Sequence, residues 1–328
     1  MPALSETSRP AGAFTSFAAF LAHGKQDPVY VVLGVQGSGT NLLRSILGTA
    51  FNFSFVQDQS IVYNAALELG ADPSAAMVRR QFEFIRSRLF ASALTRKMRR
   101  RIKSNASYEG IEAHFDPSQI ACGADLARFI YAYGAFTRGT TLMAIKSDDL
   151  WQRIDRIDSV LPNRRIVLLT RDFRDNLLSI TKKEFGPVDP VVAARYVKTR
   201  FNRYEAEYRR TPPAHRLHVR YEELLEDPDG FVARFAQHFG TQPPDRTPPS
   251  VDRTRIRSNN MRKWKSLGPR DLACCEGILE HELQTYGYGL ASAQPVAPGR
   301  AAWLLARARD TVKRVPQKLR NLVNRVRK

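Results

Sequence analysis

The chain has 328 residues, 43% hydrophobic and 25% charged, a composition that fits a folded globular protein with one sizeable core and excludes a disordered or fibrous chain. No stretch approaches the ~20 uninterrupted apolar residues of a membrane-spanning helix, and Cys122, Cys274 and Cys275 have neither the number nor the spacing of a disulfide scaffold or a zinc module. The formal charge of +19 is concentrated: residues 79–103 hold ten Lys and Arg against Glu83, and residues 300–328 hold ten against Asp310, so the basicity belongs to two segments and not to the fold as a whole.

At the N-terminus, Pro2, Ser5, Glu6 and Arg9 precede an apolar patch, Phe14–Leu21, broken by Thr15 and Ser16. That order is unlike a secretory signal, and with so few cysteines the expectation is a cytoplasmic setting. The run Pro28 to Gly48 reads as a buried strand (Val29–Leu33), a glycine-rich turn and a helix start. Gly37, Ser38, Gly39, Thr40, Asn41 and Leu42 form a turn whose N–H groups can converge on an anion at a helix N-terminus. A triphosphate loop of the form G-x-x-x-x-G-K-[ST] needs Lys after its second glycine and a hydroxyl after that. Here Gly34 and Gly39 have the spacing, but Thr40 and Asn41 occupy those two positions. The turn suits a phosphate-like group without a metal-bound triphosphate.

Further along, apolar positions Phe82, Ile85, Leu89, Phe90 and Leu94 predict a long basic helix over Val78–Lys103. Asp116-Pro117 reads as the cap of a helix-rich region, Phe115–Arg138. Strands are predicted at Thr141–Ile145, Ile166–Thr170 and Arg216–Val219, and helix starts at Asp189-Pro190 and Asp227-Pro228. Residues 240–249 are proline-rich and read as an exposed loop, and residues 291–299 as a linker. Strands alternating with helices predict an α/β fold, a three-layer α/β/α arrangement around a central parallel sheet. The expected organisation is one domain over 1–290, the linker, and a basic helical tail over 300–328.

Arg171 follows the strand Ile166–Thr170, at the edge where open α/β sheets bind ligands, and Ser179 lies two turns into the next helix. An arginine fork and a hydroxyl can hold one phosphate. The alternative is a surface arginine paired with Asp172 or Asp175.

With these residues in view, the chain resembles the sulfotransferases that use 3′-phosphoadenosine 5′-phosphosulfate, of the bacterial type with a P-loop-like fold. Their 5′-phosphosulfate loop is similar to residues 34–43. Their 3′-phosphate motif, R-D-x-x-D-x-x-x-S, is matched by Arg171, Asp172, Asp175 and Ser179. Val219-Arg-Tyr221-Glu222-Glu-Leu looks like a family segment whose tyrosine meets the adenine. Residues 257–264, with Trp264 and then Tyr288, look like the closing segment, which implies that Arg257, Arg262 and Lys263 serve the donor. The resemblance covers roughly residues 28–290 and implies metal-free sulfuryl transfer.

Two departures stand out. Gly37 occupies the place where the family loop carries Lys or Arg, so Arg44 and Lys146 become the candidates to meet the leaving oxygen. Where the cytosolic branch has Lys-Thr-His, this chain has Lys146-Ser147-Asp148, which makes Asp148 the candidate base, if burial raises its pKa. Its alternative is a helix cap shared with Asp149. Asp58, Glu112 and His114 are rivals for that role.

The tail carries Leu304, Ala308, Val312, Val315, Leu319, Leu322 and Val326 at steps of three and four, with cations elsewhere and Pro316 expected to divide the helix or to start a second one. Such a helix suits an anionic membrane surface, which predicts a peripheral enzyme on the inner face of the cell membrane acting on a carbohydrate or lipid-linked acceptor. The alternatives are a tail packed on the protein itself or a nucleic-acid arm, and no aromatic reading surface accompanies the charge. The residues 79–103 suit the same membrane face, an anionic acceptor or plain solvation. At the level of the whole chain, a P-loop kinase or NTPase and a non-catalytic basic protein binding membranes or polyanions are the competing classes.

Overall fold

The computed structural model describes residues 14–24, 27–55, 59–89, 108–146, 149–183, 185–241 and 261–326. Five parallel strands form one sheet in the order β2-β3-β1-β4-β5: β1 Val29–Leu33, β2 Ser54–Phe55, β3 Met143–Ile145, β4 Arg164–Thr170 and β5 Arg216–Arg220. The register pairs Val31 with Ile145 on one side and with Ile166 on the other, so β1 is the central strand.

Successive residues of β1 and β4 enter opposite layers. Val31, Leu33, Ile166 and Leu168 join one apolar cluster, and Tyr30, Val32, Val167 and Leu169 join the other. This is why these strands read as continuous apolar runs: both faces are covered. The first layer is packed by α1 (Phe17–His23), α3 (Gln59–Leu69), α4 (Ala75–Leu89), α5 (Gly123–Arg138), α6 (Phe173–Thr181), α7 (Pro190–Arg210) and α10 (Pro269–Thr285). The second is packed by α2 (Thr40–Ala50), the short α8 (Tyr221–Glu226) and α9 (Pro228–Phe239). α2, which follows β1, and α6, which follows β4, therefore diverge to opposite faces. The crevice between them, at the C-terminal ends of β1 and β4, is a topological switch point.

The caps behave as their chemistry requires. Asp189 accepts N–H bonds from Val191 and Val192 at the start of α7, and Asp227 accepts one from Gly230 at the start of α9. Asp116 also caps, but it opens only a 3₁₀ turn, Pro117–Gln119. The long helix of this helix-rich region starts at Gly123, where Asp125 reaches back to the N–H groups of Ala121 and Cys122. β4 begins two residues earlier than its apolar run because Arg164 is buried against Glu207 of α7, with Asp158 at 2.5 Å. β2 has two residues, too few to show a period. The described part of the long basic helix ends at Leu89, and residues 242–249 of the proline-rich loop lie outside the described residues.

Residues 291–299 fold back onto α10. Glu276 accepts N–H bonds from Ala291 and Ser292, and Val296 donates its N–H to Ala273. The tail is one helix, α11 (Arg300–Val326), which runs through Pro316 instead of dividing there. No helix among the described residues is long and apolar enough to cross a membrane. α11 docks on α7 by its polar and aromatic side. Ala306 and Asp310 are buried, Arg195 stacks on Trp303 at 4.1 Å, and Asp310 accepts N–H bonds from Val188 and Asp189. Leu304, Val312 and Val315 of the expected apolar side point to solvent, and so does Leu305 beside them.

Candidate active site

The turn after β1 is shaped by two glycines. Gly37 has φ +91 and Gly39 φ +101, the left-handed region that favours glycine. A Cβ on Gly39 would lie 2.2 Å from the ring of Tyr221, and one on Gly37 would lie 2.8 Å from Cβ of Ser179. The loop is thus pressed between the elements that follow β4 and β5. Ser38 donates its N–H to Val35 and Leu42 donates its N–H to Gly39, so these two amides are spent inside the turn. Leu43 also donates to Gly39, which leaves the N–H groups of Thr40 and Asn41 at the start of α2 without an intrahelical acceptor. Ser38 is 3% exposed and its Oγ has no hydrogen-bond partner among the described residues. Thr40 is buried and Asn41 is exposed. A buried orphan hydroxyl beside a left-handed glycine turn at a helix start fits a phosphate or phosphosulfate group.

Arg171 reaches this turn from β4. Its guanidinium donates to the carbonyl of Gly37 at 3.0 Å, lies 4.6 Å from the ring centre of Tyr221, and pairs with Asp175 at 3.7 Å. Asn176, which the sequence did not single out, donates to the carbonyl of Gln36 at 3.1 Å. Ser179 donates to the carbonyl of Asp175 within α6. Arg171 is 5% exposed, so the reading of it as a surface arginine fails; the partnership with Asp175 is real but buried.

The two aspartates of the motif hold the walls. Asp172 binds the guanidinium of Arg174, which also donates to Glu276 and stacks on Trp264 at 4.0 Å. Asp175 accepts the N–H of Arg262 at 2.7 Å and of Trp264 at 3.1 Å, which pins the closing segment over α6. Burial raises the Asp175 carboxyl above the usual range, against the opposing pull of these amides and Arg171. Arg262 adopts φ +58, uncommon for a side chain of its size. Lys263 sits below the usual lysine value, chiefly through burial and then through Arg171 and Lys182. An anion placed among these cations would relieve their mutual repulsion.

The remaining candidates are spread more widely. Lys146 is half-buried at the C-terminal end of β3, next to β1 in the sheet. Arg44 lies over Phe55 at 5.3 Å on the β2 side. Asp148, Asp58 and Arg257 lie outside the described residues. Glu112 is exposed and pairs with Arg86 at 3.5 Å, while His114 packs on Phe17 and Tyr133. Glu222, adjacent to Tyr221, accepts the N–H of Asp172 and the hydroxyl of Tyr288, joining the third motif to the second.

Residues 28–245 match the profile of the Sulfotransferase family. Among solved structures, the sulfotransferase domain of the Synechococcus PCC 7002 olefin synthase is 17% identical, with a TM-score of 0.51 over 80% of this chain and 96% of that one. Sulfotransferase STF9 from Mycobacterium avium is 13% identical over 86% of this chain and 83% of its own, with a TM-score of 0.45. The likeness to the olefin-synthase domain shows a shared fold. No curated protein matches the sequence.

Proposed function

This chain belongs to the sulfotransferase family, and from that premise we propose that it moves a sulfuryl group from 3′-phosphoadenosine 5′-phosphosulfate to a hydroxyl or amine of a carbohydrate or glycolipid acceptor at a membrane surface. The observation that carries the donor assignment is the contact between Arg171 and Gly37, which puts both anion grips on one crevice. One adenosine with phosphates at both ends of its ribose has the matching chemistry. In this reading the turn 37–42 and the N-terminus of α2 hold the 5′ end. Arg171, Ser179, Arg257, Arg262 and Lys263 hold the 3′-phosphate, and Tyr221 borders the adenosine.

When bound, the donor supplies a sulfur–oxygen bond that breaks toward the phosphate as the acceptor oxygen forms its own bond to sulfur, through a loose transition state that resembles phosphoryl transfer. The chain's part is alignment and charge stabilisation. Thr40 and the loop amides steady the phosphate oxygen that is released, with Lys146 or Arg44 supplying the cation that Gly37 lacks. The acceptor proton passes to Asp148, the proposed base. No step calls for a metal, since Thr40 and Asn41 replace the lysine and hydroxyl of a triphosphate loop.

For the location, the support is the exposed apolar side of α11, with Leu304, Leu305 and Val312 beside the exposed Lys313. A helix of that composition lies on an anionic bilayer, which fits a cytoplasmic enzyme on the inner face of the membrane. Calorimetry with adenosine 3′,5′-bisphosphate against ATP–Mg²⁺ tests the donor: tighter binding of the bisphosphate is expected, and preference for ATP returns the chain to the kinase class.

A further inference from the structure

A cavity of about 600 Å³ lies between α7 and α11, a volume suited to one or two sugar rings. Four arginines line it: Arg195, Arg200, Arg307 and Arg314. The acid in its wall is Asp310, whose Oδ1 is held by the N–H groups of Val188 and Asp189 and whose Oδ2 pairs with Arg314 at 3.0 Å. Among the described residues, Arg195, Arg200 and Arg307 form no ion pair with an acid. Arg200 instead stacks on Tyr196 at 3.3 Å and on Trp151 at 4.1 Å, Arg195 stacks on Trp303, and Nε of Arg200 is buried without a hydrogen bond.

The cavity also adjoins the residue before the glycine turn. Tyr196, part of its wall, donates its hydroxyl to Oε1 of Gln36 at 2.6 Å, and Gln36 immediately precedes Gly37. One side chain therefore separates this basic, aromatic space from the phosphosulfate turn. Three guanidinium groups without an ion-paired acid favour carboxylate or sulfate, and flat aromatic faces beside them favour the apolar face of a sugar ring over a free inorganic ion.

Resting on the sulfotransferase reading, we infer that the space between α7 and α11 is the acceptor site and takes an acidic saccharide, with its acid group on the arginines and its ring against Trp303 and Tyr196. The tail is then a wall of the active site as well as a surface helix. Its polar side faces the acceptor, with Val315 at the cavity's edge, while Leu304, Leu305 and Val312 face away.

The test uses the full chain saturated with adenosine 3′,5′-bisphosphate, with methyl glucuronide, methyl glucoside and inorganic sulfate as probes in saturation-transfer NMR and titration. The glucuronide should bind about tenfold more tightly than either comparison probe, because it alone offers both a charge-assisted pair and a ring. Arg195→Glu with Arg307→Glu, both exposed and outside the nucleotide site, should weaken glucuronide binding about tenfold or more while leaving the bisphosphate titration unchanged. Equal binding of glucuronide and glucoside, sulfate binding as tight as glucuronide, or glucuronide binding indifferent to the double substitution would each overturn the inference. Failure to bind the bisphosphate refutes the donor assignment instead. The saccharide titrations are then run on the free chain and decide the cavity by the same criteria.

Discussion

The guanidinium of Arg171 donates to the carbonyl of Gly37 across 3.0 Å, although 134 positions separate the two residues in the chain. That bond joins the turn after β1 to the end of β4. Arg171→Ala should weaken binding of adenosine 3′,5′-bisphosphate by about 2–4 kcal/mol, the cost of removing a buried charge-assisted partner of phosphate. Arg171→Lys should recover only part of that loss, because a lysine lacks the planar fork. Calorimetry measures both, and a loss below ~0.5 kcal/mol for the alanine variant would place the nucleotide elsewhere.

Gly39 is pinned twice, by its left-handed backbone and by the ring of Tyr221. Gly39→Ala should destabilise the fold by about 2–4 kcal/mol through strain and overpacking, read by urea denaturation. Adding Tyr221→Ala should relieve the steric part and leave the backbone part. Full recovery in the double variant would show that φ at residue 39 costs nothing.

His218 on β5 is held neutral. Burial, then Arg234 and Arg220, lower its pKa from 6.5 to about 4, and its Nε2 meets Oγ1 of Thr170 at 2.8 Å. The folded state therefore binds fewer protons at this residue than the unfolded state between pH 6.5 and 4, so this contribution to stability is present above 6.5 and is lost as pH falls toward 4. The loss should reach at most about 3 kcal/mol. His218→Gln should flatten the stability–pH profile in that window, measured by denaturation at stepped pH; an unchanged slope would remove His218 as its source.

The two sides of α11 should separate by mutation. Leu304→Glu with Val312→Glu should lower binding to vesicles rich in anionic lipid about tenfold or more, since each residue withdraws one apolar side chain from the bilayer. Bisphosphate binding should be unaffected. Asp310→Ala should instead loosen the docking of α11 on α7 and raise amide exchange along the tail, because Val188 and Asp189 lose their shared acceptor. Vesicle co-sedimentation and hydrogen exchange report the two effects independently.

Much of the architecture was legible because its signals are local. Val29–Leu33 and Ile166–Thr170 are β-branched runs buried on both faces, and Asp189-Pro190 and Asp227-Pro228 are caps that depend on their own next few residues. β2 was not legible, because two residues carry no period. Asp116-Pro117 was legible as the cap that opens the helix-rich region, but the start of its long helix was not, because the packing of Gly123 against the carbonyl of Ala66 fixes where α5 can begin. Asn176, Gln36 and Tyr196 escaped notice for a different reason: their partners lie 140 to 160 positions away, and nothing in their own neighbourhoods marks them.

By itself the sequence determined the alternation of strands and helices, the glycine turn, the arginine motif and the two basic segments, since composition and short-range periodicity encode these directly. Only the tertiary structure decided that Arg171 meets Gly37, that Asp175 clamps Arg262 and Trp264, and that α11 turns Asp310 inward and Leu304 and Leu305 out. The physical reason is that a helix period fixes which residues share a face, whereas the choice of face to bury depends on what the rest of the fold presents. Here it presents the open N–H groups of Val188 and Asp189, and Asp310 answers them.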